Sequence, residues 1–366
     1  MKKSTFGFSA LSCFLIYALL CYPSAMLAAS AESIRIWLTK VFPSLFPFAA
    51  ACGILLRMGT AERLSIFFRP VMKILFGLKG ISAFPFFLGS LSGYPMGAKL
   101  TAQLYETKLI TLPEAQHILV FSGNPGPLFL IGTIGAGFFG MPIFGYLLFA
   151  SCFLAALLTG MLWRFRQPSS ANHQQIFPCR KSMPLTEALS LSVSDAVDTL
   201  LLIGGYMIFF SAVSEAMKQT GTFSLLSERV HFLPFSAKTL QGICSGLLEM
   251  TNGAYLLSQS SDALRLRLSL VAFLVSFGGL SVLGQTFGVL SAVPISKKDY
   301  LKGKAFHALF SSLFCYHLFP FFEQNAQKAV PVFFSSTETA FTLSFLWLLP
   351  SLFFLGVVCH ALISKR

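Results

Sequence analysis

Apolar stretches of about 20 residues, the length that crosses a bilayer as a helix, recur along this chain and leave it few possible folds. The chain has 366 residues, of which 55% are hydrophobic and 11% are charged. A soluble domain of this length needs far more charged residues to cover its surface. Apolar stretches that cross lipid must satisfy their own backbone hydrogen bonds, and helices do so. The sequence therefore predicts an all-α polytopic membrane protein.

The apolar stretches divide into continuous and interrupted ones. We predict transmembrane spans at 6–29, 34–56, 117–138, 141–163, 196–217, 268–293, 305–322 and 340–363, with a break inside 117–138 at Pro125 and Pro127. The stretches 83–100 and 239–258 are interrupted by glycine, proline or polar residues, which predicts two re-entrant helical hairpins buried among the other helices. The segments 60–80 and 219–238 mix charges with aromatics, which is typical of helices at the membrane interface.

The basic residues indicate an orientation. The formal charge of +13 comes from Lys and Arg in short gaps between apolar stretches, which is the distribution found in the loops of membrane proteins. The sequence contains no basic helix of the kind that binds nucleic acid, so we do not expect a nucleic-acid partner. With a cytoplasmic N-terminus, most basic residues, Lys99 and Lys304 among them, fall in cytoplasmic segments. The sequence thus predicts a multi-pass protein of a bacterial cell membrane with both termini in the cytoplasm. The N-terminal stretch resembles a secretory signal, but its length favours a retained first span over a cleaved one.

Catalytic and metal-binding motifs are missing from the sequence. The eight cysteines form no CxxC pair and the six histidines form no HExxH motif. His307 and His317 are ten residues apart and do not share a helical face, so we do not expect a proton relay between them. We therefore predict neither an enzyme nor a bound metal or cofactor, and coupling to H⁺ or Na⁺ is left open.

Two pairs of segments indicate an internal repeat. GSLSGYPMGAKL at 89–100 is similar to GICSGLLEMTNGAYLL at 242–257, and SGNPGPLFLIG at 122–132 is similar to SFGGLSVLGQ at 276–285. The offsets are 153 from Gly93 to Gly246 and 154 from Ser122 to Ser276. Because an odd number of predicted crossings separates the halves, the copies have opposite topology. The predicted divisions are an N-terminal helix 1–33, a first repeat 34–163, a basic linker 164–187, a second repeat 188–325 and a C-terminal helix 326–366.

Inverted repeats with interrupted helices are the build of secondary transporters, in which the broken helices meet around a solute. We expect Lys99 to attract an anionic solute and Glu249 to take a proton or a cation; a structural Lys99–Glu249 pair, or Lys99 reaching the interface, is the alternative. Asn124 and Gln285 can donate and accept hydrogen bonds at once, or can join helices. The candidate solute-binding residues are Ser92, Gly93, Tyr94, Lys99, Ser122, Asn124, Glu249, Asn252, Ser276 and Gln285.

Four segments carry a resemblance to a known family. WLTKVFPSLFPF at 37–48, SGYPMGAKLTAQL at 92–104, SGNPGPLFLIGTIG at 122–135 and GLLEMTNG at 246–253 resemble the sporulation integral membrane proteins of the YlbJ type. Those proteins carry nucleoside-recognition Gate domains and are distantly similar to concentrative nucleoside transporters. The resemblance covers about 10–360. It implies a role in endospore formation and transport, with dipicolinate moving across the outer forespore membrane.

Other functions fit the same pattern. The chain could be a permease for nucleosides or another small metabolite, or a non-transporting assembly or signalling protein of spore formation. The expected partners are a small-molecule solute and the lipid bilayer, with a homo-oligomer or other sporulation membrane proteins as the possible protein partners.

Overall fold

The computed structural model describes residues 3–166, 183–229 and 234–328, and within these ranges the chain forms helices and no strand. This confirms the all-α class. The α-helices are α1 Lys3–Cys21, α2 Pro23–Ile36, α3 Phe42–Arg57, α4 Thr60–Val71, α5 Ala83–Ser92, α6 Met96–Glu106, α7 Leu112–Ser122, α8 Pro142–Trp163, α9 Leu185–Gln219, α10 Thr222–Arg229, α11 Ala237–Leu248, α12 Met250–Ser258, α13 Leu264–Phe277, α14 Gly279–Val289 and α15 Lys297–Lys328.

Four helical stretches of the described chain are long and apolar enough to cross a membrane. They are Pro142–Trp163, Leu185–Gln219, Leu264–Val289 and Lys297–Gln324, and two sharply bent helix pairs raise the number to as many as 6. These four match the spans predicted at 141–163, 196–217, 268–293 and 305–322. The count of eight spans stays a prediction, and the span predicted at 340–363 lies outside the described residues.

The first predicted span is not one helix. Ser9–Cys21 and Pro23–Thr39 meet at an angle of 109°. Pro23 lacks a backbone N–H and restricts the residue before it, and Tyr22 accordingly leaves the helical region with φ −129° and ψ 51°. The stretch 6–29 is therefore two helices that meet at Pro23, and its role as a first span stays a prediction.

The segment 60–80 also ends in a bend. Ser65–Phe76 and Gly80–Ser92 form an angle of 87°, and Gly77 between them has φ +65°. That left-handed conformation suits glycine, because it has no Cβ. The interfacial position of this segment and of 219–238 stays a prediction.

Both segments predicted as hairpins consist of two short helices that fold back on each other. In the first, α5 and α6 are joined at Gly93–Pro95, and a Cβ on Gly89 would lie 2.6 Å from the Gly97 Cα. In the second, α11 and α12 are joined at Glu249, and a Cβ on Gly253 would overlap Gly246. Small residues are needed where backbones approach this closely. The sequence thus located both hairpins, while their depth in a bilayer stays a prediction.

Each hairpin is followed by a discontinuous helix. After α7 the backbone is non-helical from Gly123 to Gly126, and a π-helical segment runs from Leu128 to Phe138. The stretch 117–138 is therefore not one continuous helix, as its prolines indicated. In the second half, α13 and α14 are separated at Gly278, which has φ +89°.

The tip of each hairpin packs against the break that follows it. A Cβ on Gly93 would lie 2.8 Å from the Gly126 nitrogen, and a Cβ on Gly279 would lie 2.8 Å from the Gly246 carbonyl oxygen. Gly93 and Gly246 are the residues that the proposed repeat aligns. The two halves therefore have the same local build here, while the duplication and its inverted topology stay predictions.

The remaining long helices surround these elements. Helix α15 packs along α8 and α13, and α3 packs along α9. In the π-helical segment Trp37–Val41 just before α3, the Trp37 indole N–H donates to the Leu200 carbonyl of α9 at 3.0 Å and the ring lies against Gly204. Arg57 also pairs with Asp195 and donates to Ser192 at 3.1 Å. Helices α3 and α9 thus form a firmly joined pair.

We predict that Gly97→Ala destabilises the protein by about 1–3 kcal/mol through overpacking. Alanine otherwise favours a helix interior by about 1 kcal/mol over glycine. The added Cβ would overlap the Ser122 carbonyl, which belongs to the backbone and cannot rotate away. Gly205→Ala is the matched control, because a Cβ there meets nothing within 4 Å. Thermal unfolding in detergent should show a lower midpoint for Gly97→Ala alone, and equal midpoints would contradict the packing.

Candidate functional site

A buried lysine lies where the two discontinuous helices meet. Lys304, on α15, is 0% exposed. Its Nζ donates to the Tyr94 hydroxyl at 2.7 Å and to the Gly123 carbonyl at 2.9 Å, and lies 3.4 Å from His307 Nδ1. The charge pattern assigns Lys304 to a cytoplasmic segment, and that assignment stays a prediction. What the pattern did not indicate is that the side chain is enclosed by protein rather than exposed to water.

Tyr94 connects Lys304 to α13 in the second half of the chain. Its hydroxyl donates to the Ser276 carbonyl at 2.9 Å, with the Val275 carbonyl at 3.2 Å, and its ring centroid lies 4.7 Å from Lys304 Nζ. Gly123 follows the last residue of α7, and Ser276 lies in the last turn of α13. Carbonyls at helix ends lack intrahelical partners and are costly to bury alone. Lys304 and Tyr94 together supply partners at the ends of both helices.

A line of buried polar groups extends from Lys304 along α15. The Ser276 hydroxyl lies 2.7 Å from Ser311 Oγ and 3.1 Å from Cys152 Sγ, and His307 Nε2 lies 3.0 Å from the Cys152 carbonyl. Residues 304, 307 and 311 are spaced by three and four, so they share one helical face. That spacing is the sequence signal that could have identified Lys304. His307 is close to Lys304, whereas His317 is exposed.

The break after α7 holds two polar atoms that lack a partner among the described residues. The Asn124 amide nitrogen donates to Ser90 Oγ at 2.8 Å and to the Phe121 carbonyl at 2.9 Å. Asn124 Oδ1 and Ser122 Oγ are buried with no hydrogen bond in that part of the chain. Ser92, at the hairpin tip, donates to the Leu88 carbonyl at 2.8 Å. The break thus contains buried hydrogen-bonding capacity that the protein itself leaves unused.

Lys99 lies in a different place from Lys304. It is half-buried and lines a cleft between α3, α6 and α9. The cleft also contains Gly53, Gln103, Ser192, Asp195 and Thr199. Over the ranges that the structure describes, Lys99 forms no ion pair or hydrogen bond through its side chain.

Glu249 caps a helix and does not pair with Lys99. Its carboxylate accepts from the Thr251 N–H at 3.0 Å and from the Asn252 N–H at 2.8 Å, at the start of α12. Asn252 in turn donates to Ser214 Oγ at 3.1 Å. Ser214 and Thr199, which lines the Lys99 cleft, are roughly 22 Å apart along α9 at about 1.5 Å per residue. The two charges are therefore near different parts of α9, which excludes the structural-pair alternative in this conformation.

The structure brings some of the predicted residues together and separates others. Tyr94 and Ser276 meet at Lys304. Gln285 lies apart on α14, 6% exposed, with its amide 3.5 Å from Ser281 Oγ. The residues beside the first break are Ser92, Gly93, Ser122 and Asn124, and those elsewhere are Lys99, Glu249, Asn252 and Gln285.

Helical hairpins packed on broken helices, with polar groups buried among apolar spans, define a multi-pass membrane protein of the transporter type. The comparisons with known proteins agree with this class. Residues 38–161 match the Gate family, described as nucleoside recognition. The chain is also 29% identical over 336 residues to the sporulation integral membrane protein YlbJ of Bacillus subtilis (strain 168), covering 86% of this chain and 82% of that protein. The resemblance carried by the four sequence motifs is thereby confirmed.

A solved structure shows a weaker similarity. It is a double variant of CNTnw in an outward-facing state, with 12% sequence identity, a TM-score of 0.48, and coverage of 88% of this chain and 85% of that one. These similarities point to a transporter-type membrane protein rather than to an enzyme.

We predict that Tyr94→Phe lowers the stability of the protein by about 1.5–3 kcal/mol, the range for a hydrogen bond to a charged group. The substitution removes one acceptor from Lys304 and leaves the Ser276 carbonyl without its donor. Tyr255→Phe is the control, because Tyr255 is 51% exposed and its ring packs edge-on against Phe138. Thermal unfolding of both variants in detergent measures the difference; a midpoint for Tyr94→Phe equal to that of the wild type would contradict the bridging role.

Proposed function

We propose that the protein is a secondary-type transporter that moves a small anionic solute across a bacterial membrane by alternating access. The observation that supports this most directly is Lys99, a half-buried cation that lines a cleft and has no acidic partner within the described ranges. An ionisable group at membrane depth costs about 2.5–3.5 kcal/mol or more, so it usually faces a partner or an aqueous cavity. In this conformation the cleft has room for about one water molecule, so we propose that a solute anion becomes the partner of Lys99 when the cleft is wider.

The surroundings of Lys99 strengthen its proposed role. Asp195, which also lines the cleft, is bound by Arg57 and so is already neutralised. Lys99 lies in the first turn of α6, directly after the hairpin break. The N-terminus of a helix carries a partial positive charge, and broken helices of transporters direct such ends at anionic groups. The charge of Lys99 and the helix dipole therefore both favour an anion.

Lys304 is less suited to bind the solute in this conformation. Its three N–H groups face the Tyr94 hydroxyl, the Gly123 carbonyl and His307, so none is free for a ligand. The buried Asn124 Oδ1 and Ser122 Oγ, in contrast, have no partner in the described residues. We propose that these two atoms contribute to solute binding when the cleft connects with the first break.

Dipicolinate is the solute that we propose, with transport into the forespore across its outer membrane. It is a small planar molecule with two carboxylates and a ring nitrogen, so it would use both a cation and hydrogen-bonding groups. The similarity to a sporulation membrane protein supports a solute of spore development. A nucleoside is the second candidate, because the Gate match carries the description nucleoside recognition.

Uptake into proteoliposomes tests the proposal. The purified protein would be reconstituted and offered labelled dipicolinate, a labelled nucleoside and a labelled amino acid, under proton and sodium gradients in turn. We expect saturable accumulation of dipicolinate that unlabelled dicarboxylates reduce. Accumulation of the nucleoside alone would favour the second candidate. No accumulation of any solute under either gradient would favour a non-transporting assembly or signalling protein.

We predict that Lys99→Ala lowers dipicolinate uptake by about tenfold or more, since a hydrogen bond to a charged group contributes about 1.5–3 kcal/mol. Lys218→Ala is the matched control: Lys218 is a lysine with a 70% exposed side chain that pairs with Glu215 on the surface of α9. Initial uptake rates should fall for the first variant only, at equal amounts of reconstituted protein. A neutral solute should be taken up equally by both variants.

We further predict that Glu249→Gln abolishes uptake while leaving stable protein in the membrane. The carboxamide keeps an oxygen that can accept hydrogen bonds from the backbone N–H groups at the start of α12. It carries no negative charge, however, so it cannot take up a proton or bind a cation as the carboxylate would. Glu32→Gln, which removes one partner of an exposed pair with Arg35, is the control. Loss of stable protein instead of activity would assign Glu249 to capping alone, and full uptake would remove it from the proposed site.

A further inference from the structure

We propose that the ammonium group of Lys304 occupies a cation site formed by the ends of the two broken helices, and so acts as a cation tethered to the protein in place of a bound sodium ion. The proposal concerns the occupant of this site and stands whether or not the proposed solute is correct.

The groups around Lys304 Nζ are all acceptors. The Gly123 carbonyl cannot donate, and the Tyr94 hydroxyl uses its own hydrogen for the Ser276 carbonyl, so it presents a lone pair to the lysine. His307 Nε2 lies 3.0 Å from the Cys152 carbonyl, which can only accept. The proton of the neutral imidazole is therefore on Nε2, and Nδ1 offers a lone pair as well. Three acceptors directed at one point form a site for a positive charge.

The backbone at the breaks adds to this preference. Gly123 lies at the C-terminal end of α7, and the Tyr94 hydroxyl is bonded to carbonyls in the last turn of α13. The C-terminal end of a helix carries a partial negative charge. In transporters built from broken helices, such ends and the unwound carbonyls beside them coordinate Na⁺. Here the same kind of environment encloses a lysine side chain.

No carboxylate in the part of the chain that the structure describes balances the charge of Lys304. The titratable side chains that face it are Tyr94 from the first hairpin, Cys152 from α8, and His307 and Tyr300 from α15 itself. None of the ion pairs found in the described ranges includes Lys304. The lysine is therefore held by dipoles and by the face of the Tyr94 ring, as a dehydrated metal cation would be.

The inference predicts that removal of the ammonium creates a vacant cation site. We expect the thermal midpoint of the wild type in detergent to be the same in sodium chloride and in choline chloride at equal ionic strength. Lys304→Ala should show a saturable upward shift of its midpoint with Na⁺, because a ligand that binds only the folded state stabilises it. Propylammonium, which replaces the missing part of the side chain, should produce the same shift.

Two controls separate a cation site from a general loss of packing. Lys304→Met fills most of the same space without a charge and should be less stable than the wild type, with no response to Na⁺. Lys99→Ala removes a lysine that has no such set of acceptors and should also show no response. A shift in Lys304→Met equal to that in Lys304→Ala would overturn the proposal.

The remaining outcomes are also decisive. A stabilisation of the wild type that is specific to Na⁺ and is lost in Lys304→Ala would show that a separate ion occupies the site, against the proposal. If Lys304→Ala cannot be isolated in choline, its recovery when membranes are extracted in Na⁺ or propylammonium supports the proposal. Absence of recovery in all three media, or a stable variant that ignores both cations, overturns it.

Discussion

The carbonyl groups left at a helix break are the constraint on which the rest of this structure depends. In water such groups would be solvated, but inside a membrane protein they need protein partners. The chain meets this need at one point, where Lys304 donates to Gly123 and Tyr94 donates to Ser276. Because Lys304 also donates to Tyr94, the ends of both broken helices are held through a single pair of side chains. A buried lysine is costly in lipid, and these acceptors are what make its position tenable.

Close backbone packing allows that point to form. Tyr94 reaches Lys304 from the hairpin of α5 and α6, whose helices approach each other at Gly89 and Gly97. A larger side chain at Gly89 would force α5 and α6 apart, and one at Gly97 would push the hairpin away from the Ser122 carbonyl at the end of α7. At the tip, Gly93 has φ +92°, which glycine adopts without strain and which brings it against Gly126. The glycines are thus part of the same arrangement as the lysine, since they fix where the tyrosine lies.

The sequence predicted the elements of this arrangement better than its contacts. Glycine and proline interrupt an apolar stretch for reasons that are local, so both hairpins and the break after Ser122 could be located from residue types alone. The bend at Pro23 has an equally local cause and was missed because apolar length was given more weight. Lys304 was missed for a different reason: a lysine near the start of an apolar helix has the same sequence signature whether it is exposed or, as here, buried about two turns inside the helix. Its partners, Tyr94 and Gly123, are about 200 residues away, and only the tertiary fold brings them to it. Lys99 and Glu249 show the opposite case, since one charge in each interrupted segment suggested a contact that the structure does not contain.

The position of the Lys99 cleft suggests how the fold could move a solute. Two of its walls, α3 and α9, are joined by the Arg57–Asp195 pair and, just before α3, by the Trp37–Leu200 hydrogen bond, so we expect them to move together. The third wall, α6, belongs to the hairpin that carries Tyr94. A displacement of the hairpin relative to α3 and α9 would therefore change the width of the cleft, and it would also strain the contact between Tyr94 and Lys304.

The contacts made in only one of two conformations set the free-energy difference between them. A ligand shifts the populations only if its affinity differs between the two conformations. An anion at Lys99 would have such a difference, because it contacts the moving wall directly, whereas the tethered ammonium of Lys304 would favour the conformation in which the two broken helices are joined.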